Sequence, residues 1–364
     1  MECVFNGGEK PDRYPCFEHF WGEAIKRWEG EGLPEGVNHY EYFDLDIGKC
    51  GAYDLSAQFP EELISEDETY KIIRDSKGVI SQRHKTESGH TPHWLETPIK
   101  TPSDWWAYKE RLAFNEERIY PNTFQWAKDL RAQGRYVCLF GSEPYEQAWP
   151  VFGQVQLFMA MLENPEIVKD AMDTWANLSL ECMDYYVRNG LDFDGCFFYG
   201  DMGYRNGTLF SPQVYRELVM PAHKKIVGFA HDCGKKAILH SCGQIKSFIP
   251  MLIEVGFDAL QPLEAKCDQD VRELQKEFGR QLVFFGNIDV RELSKDKEAI
   301  RQEIESKLKA FDGSWNYIFH SDHSIPQTVS LENYTYALNL AKEWLMVNDR
   351  NPHCPLAISH EPYP

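Results

Sequence analysis

From about residue 136 onward the chain repeats one unit: a short apolar, β-branched or aromatic run, a polar residue that ends it, and then an amphipathic helical stretch. The runs are Tyr136–Gly141, Gly195–Gly200, Lys236–His240, Ala259–Leu263, Leu282–Gly286 and Asn316–Phe319. The helices between them carry their own boundaries. Asn164-Pro165-Glu166 opens one with a cap, a first-turn proline and a first-turn acid, Asn189-Gly190 closes it, and Ser211-Pro212 opens the next. In that next helix Val214, Leu218, Val219, Ala222 and Ile226 recur at three- and four-residue steps, the single apolar stripe of a helix that covers a sheet.

Two further runs upstream, Tyr14–Glu18 and Tyr40–Asp46, bring the expected strands to the number that closes a parallel barrel. The sequence therefore predicts an α/β fold, a (β/α)8 TIM barrel forming a single domain over residues 1–350, with a tail over 351–364. Residues 48–115 are polar, tryptophan-rich and broken by Thr91-Pro92 and Thr97-Pro98, so they read as a loop-rich insertion on the active face. An open doubly wound sheet is the competing architecture, but no Gly-x-Gly-x-x-Gly follows any of the runs.

Composition narrows the partners. A net charge of −19 over 364 residues, with no basic cluster, argues against nucleic acid and anionic membrane. No leader-like segment and no long apolar stretch are apparent, so a cytoplasmic protein is expected. The ten cysteines are scattered singly, unlike a disulfide framework, and most read as small core residues.

In a β/α barrel the loops after the strands ring one shared mouth, so the residues that end each run are the candidate functional groups. They are Asp44 and Asp46, Glu143, Asp201, His240 with Cys242, Glu264, Asn287 with Asp289, and His320, Asp322 and His323. His240-Ser-Cys242 offers an imidazole and a thiolate two residues apart directly after a buried strand, a soft donor pair suited to Zn²⁺. His323, at the end of the last run, can supply a third ligand across the mouth, with Asp322 either replacing it or orienting an imidazole. Three protein ligands with an open fourth position characterise catalytic rather than structural zinc. Glu143, Asp201 and Glu264 are candidates for a fourth ligand or a proton carrier, against the commoner role of helix capping. Trp94, Trp105, Trp106 and Trp149 are candidates for an apolar pocket wall, against ordinary core packing.

The segments Gly200-Asp-Met-Gly-Tyr204, Leu-Phe-Ser211-Pro-Gln-Val-Tyr215, Leu-His240-Ser-Cys-Gly243, Gly256-Phe-Asp-Ala-Leu-Gln-Pro262, Phe-Gly286-Asn-Ile-Asp289 and Asp322-His-Ser-Ile-Pro326 resemble the uroporphyrinogen decarboxylase superfamily. More thinly, so do Gly8–Pro15 and Thr101–Trp105. That superfamily holds the decarboxylase and the zinc-dependent, corrinoid-linked methyltransferases, all on a (β/α)8 barrel. The resemblance implies, for the methyltransferase branch, a zinc site of His-x-Cys plus a distant cysteine; the first two match His240 and Cys242, and the third falls on His323. The decarboxylases grip porphyrinogen carboxylates with an N-terminal arginine-rich motif, whereas here no arginine follows Arg13 in Tyr14–Trp21.

The expected function is thus a zinc-dependent methyltransferase acting between a small substrate (a methoxylated aromatic, a methylamine, methanol or a thiol) and a corrinoid on a partner protein. The alternatives are a metal-free decarboxylase using Asp44 or Asp46 to stabilise a protonated pyrrole, and a catalytically silent binding protein that keeps the pocket.

Overall fold

A computed structural model describes residues 1–7, 9–85 and 92–350, with the backbone alone considered for 347–350. Gly8, Thr91, Cys354 and the 351–364 tail lie outside the described residues. Seven parallel strands form one curled sheet in chain order: β1 (Ile47–Cys50), β2 (Tyr136–Ser142), β3 (Gly195–Tyr199), β4 (Lys236–His240), β5 (Ala259–Gln261), β6 (Val283–Phe285) and β7 (Tyr317–Ile318). The segment Tyr14–Glu18 closes the gap between β7 and β1. Phe17 N donates to Phe319 O, Phe319 N to Pro15 O, and Asp46 N to Cys16 O, so it is an eighth stave held by bridge-like bonds rather than a full ladder. The architecture is a (β/α)8 barrel.

Strand parity sorts the side chains into two cores, because successive residues of a strand face opposite sides of the sheet. Phe17, Ile47, Cys138, Phe197, Ile238, Ala259, Phe285 and Ile318 fill the barrel interior. Their neighbours Cys16, Val137, Leu139, Cys196, Phe198, Ala237, Leu239, Leu260, Phe284 and Tyr317 face outward into the helix layer. One inward position further along six of these eight staves come His19, Lys49, Tyr199, His240, Gln261 and His320, with Phe140 and Asn287 at the matching places on β2 and β6. The same alternation therefore places a polar layer on top of an apolar plug, at the carboxyl end of the strands.

Two expectations are corrected. Tyr40–Asp46 is not a strand: Asn38 accepts from Tyr40 N and Glu41 N and caps a helix over His39–Tyr42, and the strand begins only at Ile47. Asp44 and Asp46 consequently sit at the amino end of β1, away from the mouth. Asp46 there pairs with Arg13 (2.7 Å) and accepts from Cys16 N (2.6 Å), while Asp44 pairs with Lys342 (3.1 Å). The 48–115 insertion, expected to be loop-rich, contains a four-stranded antiparallel sheet built from Glu62–Glu66, Tyr70–Arg74, Ile80–His84 and His93–Glu96 in sequence order. It leaves from the carboxyl end of β1. Buried Arg118 ties its two ends together by donating to the carbonyls of Asp54, Ser56, Arg111 and Ala113.

Candidate metal centre

His240 is the last residue of β4 and shares the inward phase of Ile238; two residues on, the chain has left the strand and Cys242 turns back over the same opening. The turn is possible because Gly243 adopts φ 78°, and because Gly203 and Gly243 let two backbones touch. A Cβ on Gly203 would meet Cys242 O at 2.8 Å, and one on Gly243 would meet Gly203 C at 2.3 Å.

Cys242 Sγ lies 3.4 Å from His240 Nε2, and Asp201 Oδ1 is 3.5 Å from the same nitrogen. Donor atoms of Asp201, His240 and Cys242 all lie within 4.8 Å of one another, as do those of Cys242, Glu264 and His323. Cys242 belongs to both groups, whereas His240 falls in one and His323 in the other. The structure thus brings His240, Cys242, His323, Asp201 and Glu264 together around one sulfur. Burial pushes the Cys242 thiol well above its ordinary pKa, and the Asp201 and Glu264 carboxylates push it further. Left to itself the sulfur stays a neutral thiol; a cation among the two carboxylates would favour its thiolate, and sulfur, imidazole and carboxylate donors gathered in this way fit a divalent metal such as zinc.

Burial also acts to raise Asp201, but the neighbouring His240 ring and hydrogen bonds from the Cys242 amide and the Tyr199 hydroxyl outweigh it and hold the carboxyl below its ordinary value. Behind Asp201, Glu146 Oε2 accepts from Asp201 N at 3.3 Å. Burial and the Asp201 charge push Glu146 up to about 8. Lys77, from the turn between two insertion strands, contributes an opposing positive charge.

Glu143 does not join the site. It is fully buried, accepts from Tyr145 N (2.8 Å) and Glu146 N (2.7 Å) at the start of the helix Pro144–Phe152, and meets His223 Nε2 at 2.9 Å. Asp322 is likewise committed to backbone, accepting from Ala265 N and Val290 N at 3.1 Å, and orients no imidazole. The tryptophans do not wall the site either: Trp105 is core, Trp94 and Trp149 pack edge-to-face, and Trp106 is exposed.

Of the polar layer, sequence reasoning picked out His240 and His320 but passed over their neighbours His19, Lys49 and Gln261. Lys49 Nζ sits 2.8 Å from His19 Nε2 above the rings of Phe140, Phe197 and Phe17, and burial pushes it down to about 8. Burial drives His19 well below the usual imidazole range and His320 down to about 3. Glu18, fully buried against Ser321, is pushed up to about 8. Beside the sulfur opens a cavity of about 460 Å³ walled by Tyr204, Arg205, Cys242, Glu264, Lys266 and Arg291, among others, a size suited to a small molecule.

A closed parallel barrel with a sulfur–nitrogen–carboxylate cluster and a small cavity at the carboxyl end of its strands defines an α/β-barrel with an enzyme-like mouth. The uroporphyrinogen decarboxylase (URO-D) family model matches residues 140–344, more than half of the chain, and the chain belongs to that family. A uroporphyrinogen decarboxylase from Hydrogenobaculum sp. (strain Y04AAS1) is 24% identical over 193 residues, which are 53% of this chain. The chain spans about half, 52%, of that relative's length. Among solved structures, a methyltransferase from Methanosarcina mazei shares the fold, with a TM-score of 0.62 at 15% identity, covering 94% of this chain and 97% of the other.

Proposed function

We propose that the protein is a zinc-dependent methyltransferase that moves a methyl group between a small substrate and a corrinoid carried by a partner protein docked over the barrel mouth. The observation that carries this reading is the gathering of His240, Asp201, Glu264 and His323 around the sulfur of Cys242. In this reading His240, Cys242 and His323 hold the metal, and Asp201 or Glu264 supplies the remaining ligand or accepts the proton that the substrate loses. Zinc bound there lowers the pKa of a coordinated thiol, alcohol or water.

The protein's own contribution is orientation and a shaped recess. Asp201 fixes the Cys242 loop by accepting its amide at 2.8 Å, and Tyr199 stacks on His240 at 4.6 Å between ring centroids. Arg205, Lys266 and Arg291 on the cavity wall outnumber its single carboxylate, Glu264, which disfavours a protonated methylamine relative to a thiol, methanol or a methoxylated aromatic. The decarboxylase alternative loses both of its proposed acids, since Asp46 is paired with Arg13 and Asp44 with Lys342 at the opposite end of the barrel.

The test is to titrate zinc-loaded protein with methylcobalamin and each candidate acceptor while following the corrinoid spectrum. Conversion to demethylated corrinoid with one acceptor, lost in Cys242→Ala, is expected. No spectral change with any acceptor overturns the reading in favour of a silent binding protein.

A further inference from the structure

The inward side chains of β4, β5 and the loop after β7 form one hydrogen-bonded line: Ser321 O, His320, Gln261, His240. Its polarity follows from the end that has no choice. Ser321 O is a carbonyl and only accepts, so His320 Nδ1, which bonds to it, carries a hydrogen. His320 is 1% exposed and wedged between the rings of Phe17 and Phe285, an environment that opposes a second proton, so its Nε2 is a bare acceptor. Gln261 Nε2 donates to that nitrogen at 3.0 Å. Glu18 is the competing neighbour of the same nitrogen, but it stands at 3.4 Å with its oxygens already taken by His19 N, Ser321 N and Ser321 Oγ.

With the amide nitrogen committed to His320, the Gln261 side-chain oxygen faces His240 Nδ1, which must then donate. His240 Nε2 is left without a hydrogen and directed at Cys242 Sγ and Asp201. We infer that Gln261, itself oriented by His320, is a positioning residue that locks His240 into the tautomer whose Nε2 lone pair faces the metal. A carbonyl or carboxylate on the far nitrogen of a ligating histidine serves this purpose in metal sites generally, and losing it costs about 10- to 100-fold in metal affinity. Gln261 achieves it with a neutral amide whose direction is fixed two residues away, at a backbone carbonyl.

The inference rests on the zinc reading, and its test separates the two. Zinc affinity, measured by competition with a fluorescent chelator, is compared for the wild type, Gln261→Met and Gln261→Glu. The Met variant loses the acceptor, and its affinity falls about 10- to 100-fold; the Glu variant keeps an acceptor for His240 and stays within a few-fold of wild type. Equal zinc affinity in the wild type and the folded Met variant overturns the positioning role. Histidine-selective ¹⁵N NMR of metal-free wild type gives a second readout that requires no variant to fold. Signals of the Nδ1–H tautomer for both His240 and His320 are expected, and a hydrogen on His240 Nε2 overturns the inference whether or not the wild type takes zinc. Failure of the wild type to bind zinc, with both tautomers as stated, overturns the zinc reading alone.

Discussion

The sulfur of Cys242 lies 3.4 Å from Nε2 of His240, although the two residues belong to different elements, one ending a strand and the other opening the loop beyond it. That proximity depends on the loop backbone lying directly against Gly203. The chemistry of the mouth and the packing beneath it are separable, and the following variants separate them.

Gly203→Ala leaves every donor in place but puts a methyl group 2.8 Å from Cys242 O and 2.9 Å from Gln244 N. The loop must move, at a stability cost of about 1–3 kcal/mol, and zinc affinity falls with it. Gly207→Ala is the control, since its Cβ meets nothing closer than 3.7 Å. Denaturant unfolding and chelator competition on both variants measure the contrast.

Glu143→Ala isolates packing from chemistry. It leaves His223 buried without its 2.9 Å partner and strips the cap from the helix Pro144–Phe152. Removing one member of a buried pair costs about 3–5 kcal/mol, so the midpoint of urea unfolding drops sharply. Zinc affinity of the folded fraction stays at the wild-type value.

Glu18 gives a pH signature. Its folded-state pKa is raised from 4.5 to about 8, chiefly by burial, so the folded protein binds a proton there that the unfolded chain has released. The stability Glu18 contributes is complete below pH 4.5 and is lost as pH rises towards 8, by at most about 1.4 kcal/mol per pH unit. Glu18→Gln removes that loss, so the stability of the variant relative to wild type increases from pH 5 to pH 8. Paired urea melts at several pH values, both proteins zinc-saturated, provide the measurement; a difference that does not change with pH counts against the buried acid.

The barrel was legible because β4 and its neighbours are short apolar runs followed by capped helices, and the runs at 136, 195, 236, 259, 282 and 316 all contain strands. Tyr40–Asp46 misled because its aromatics, read as a strand, instead pack Phe43 and Leu45 into the core from a capped turn. The cue was Asn38, one residue before the helix. The insertion sheet escaped notice because Glu62–Glu66 is exposed along its whole length and so shows no alternation of apolar and polar residues. At the site, scanning the residues that end each strand found Asp201, His240, Cys242, Glu264 and His323. The same scan passed over His19, Lys49, Gln261 and Glu146, of which the first three follow from inward parity counted from Phe17, Ile47 and Ala259. Glu146 gave no such signal: it lies on a helix, and only the folded chain brings it to Asp201.

The central claim is that Cys242 and His240 ligate one zinc ion, and zinc K-edge absorption on protein purified without chelators tests it most directly. About one zinc per chain is expected, with one sulfur at about 2.3 Å and nitrogen or oxygen ligands at about 2.0–2.2 Å, the sulfur contribution vanishing in Cys242→Ser. Protein that holds no zinc, or zinc whose nearest shell contains no sulfur, would contradict it.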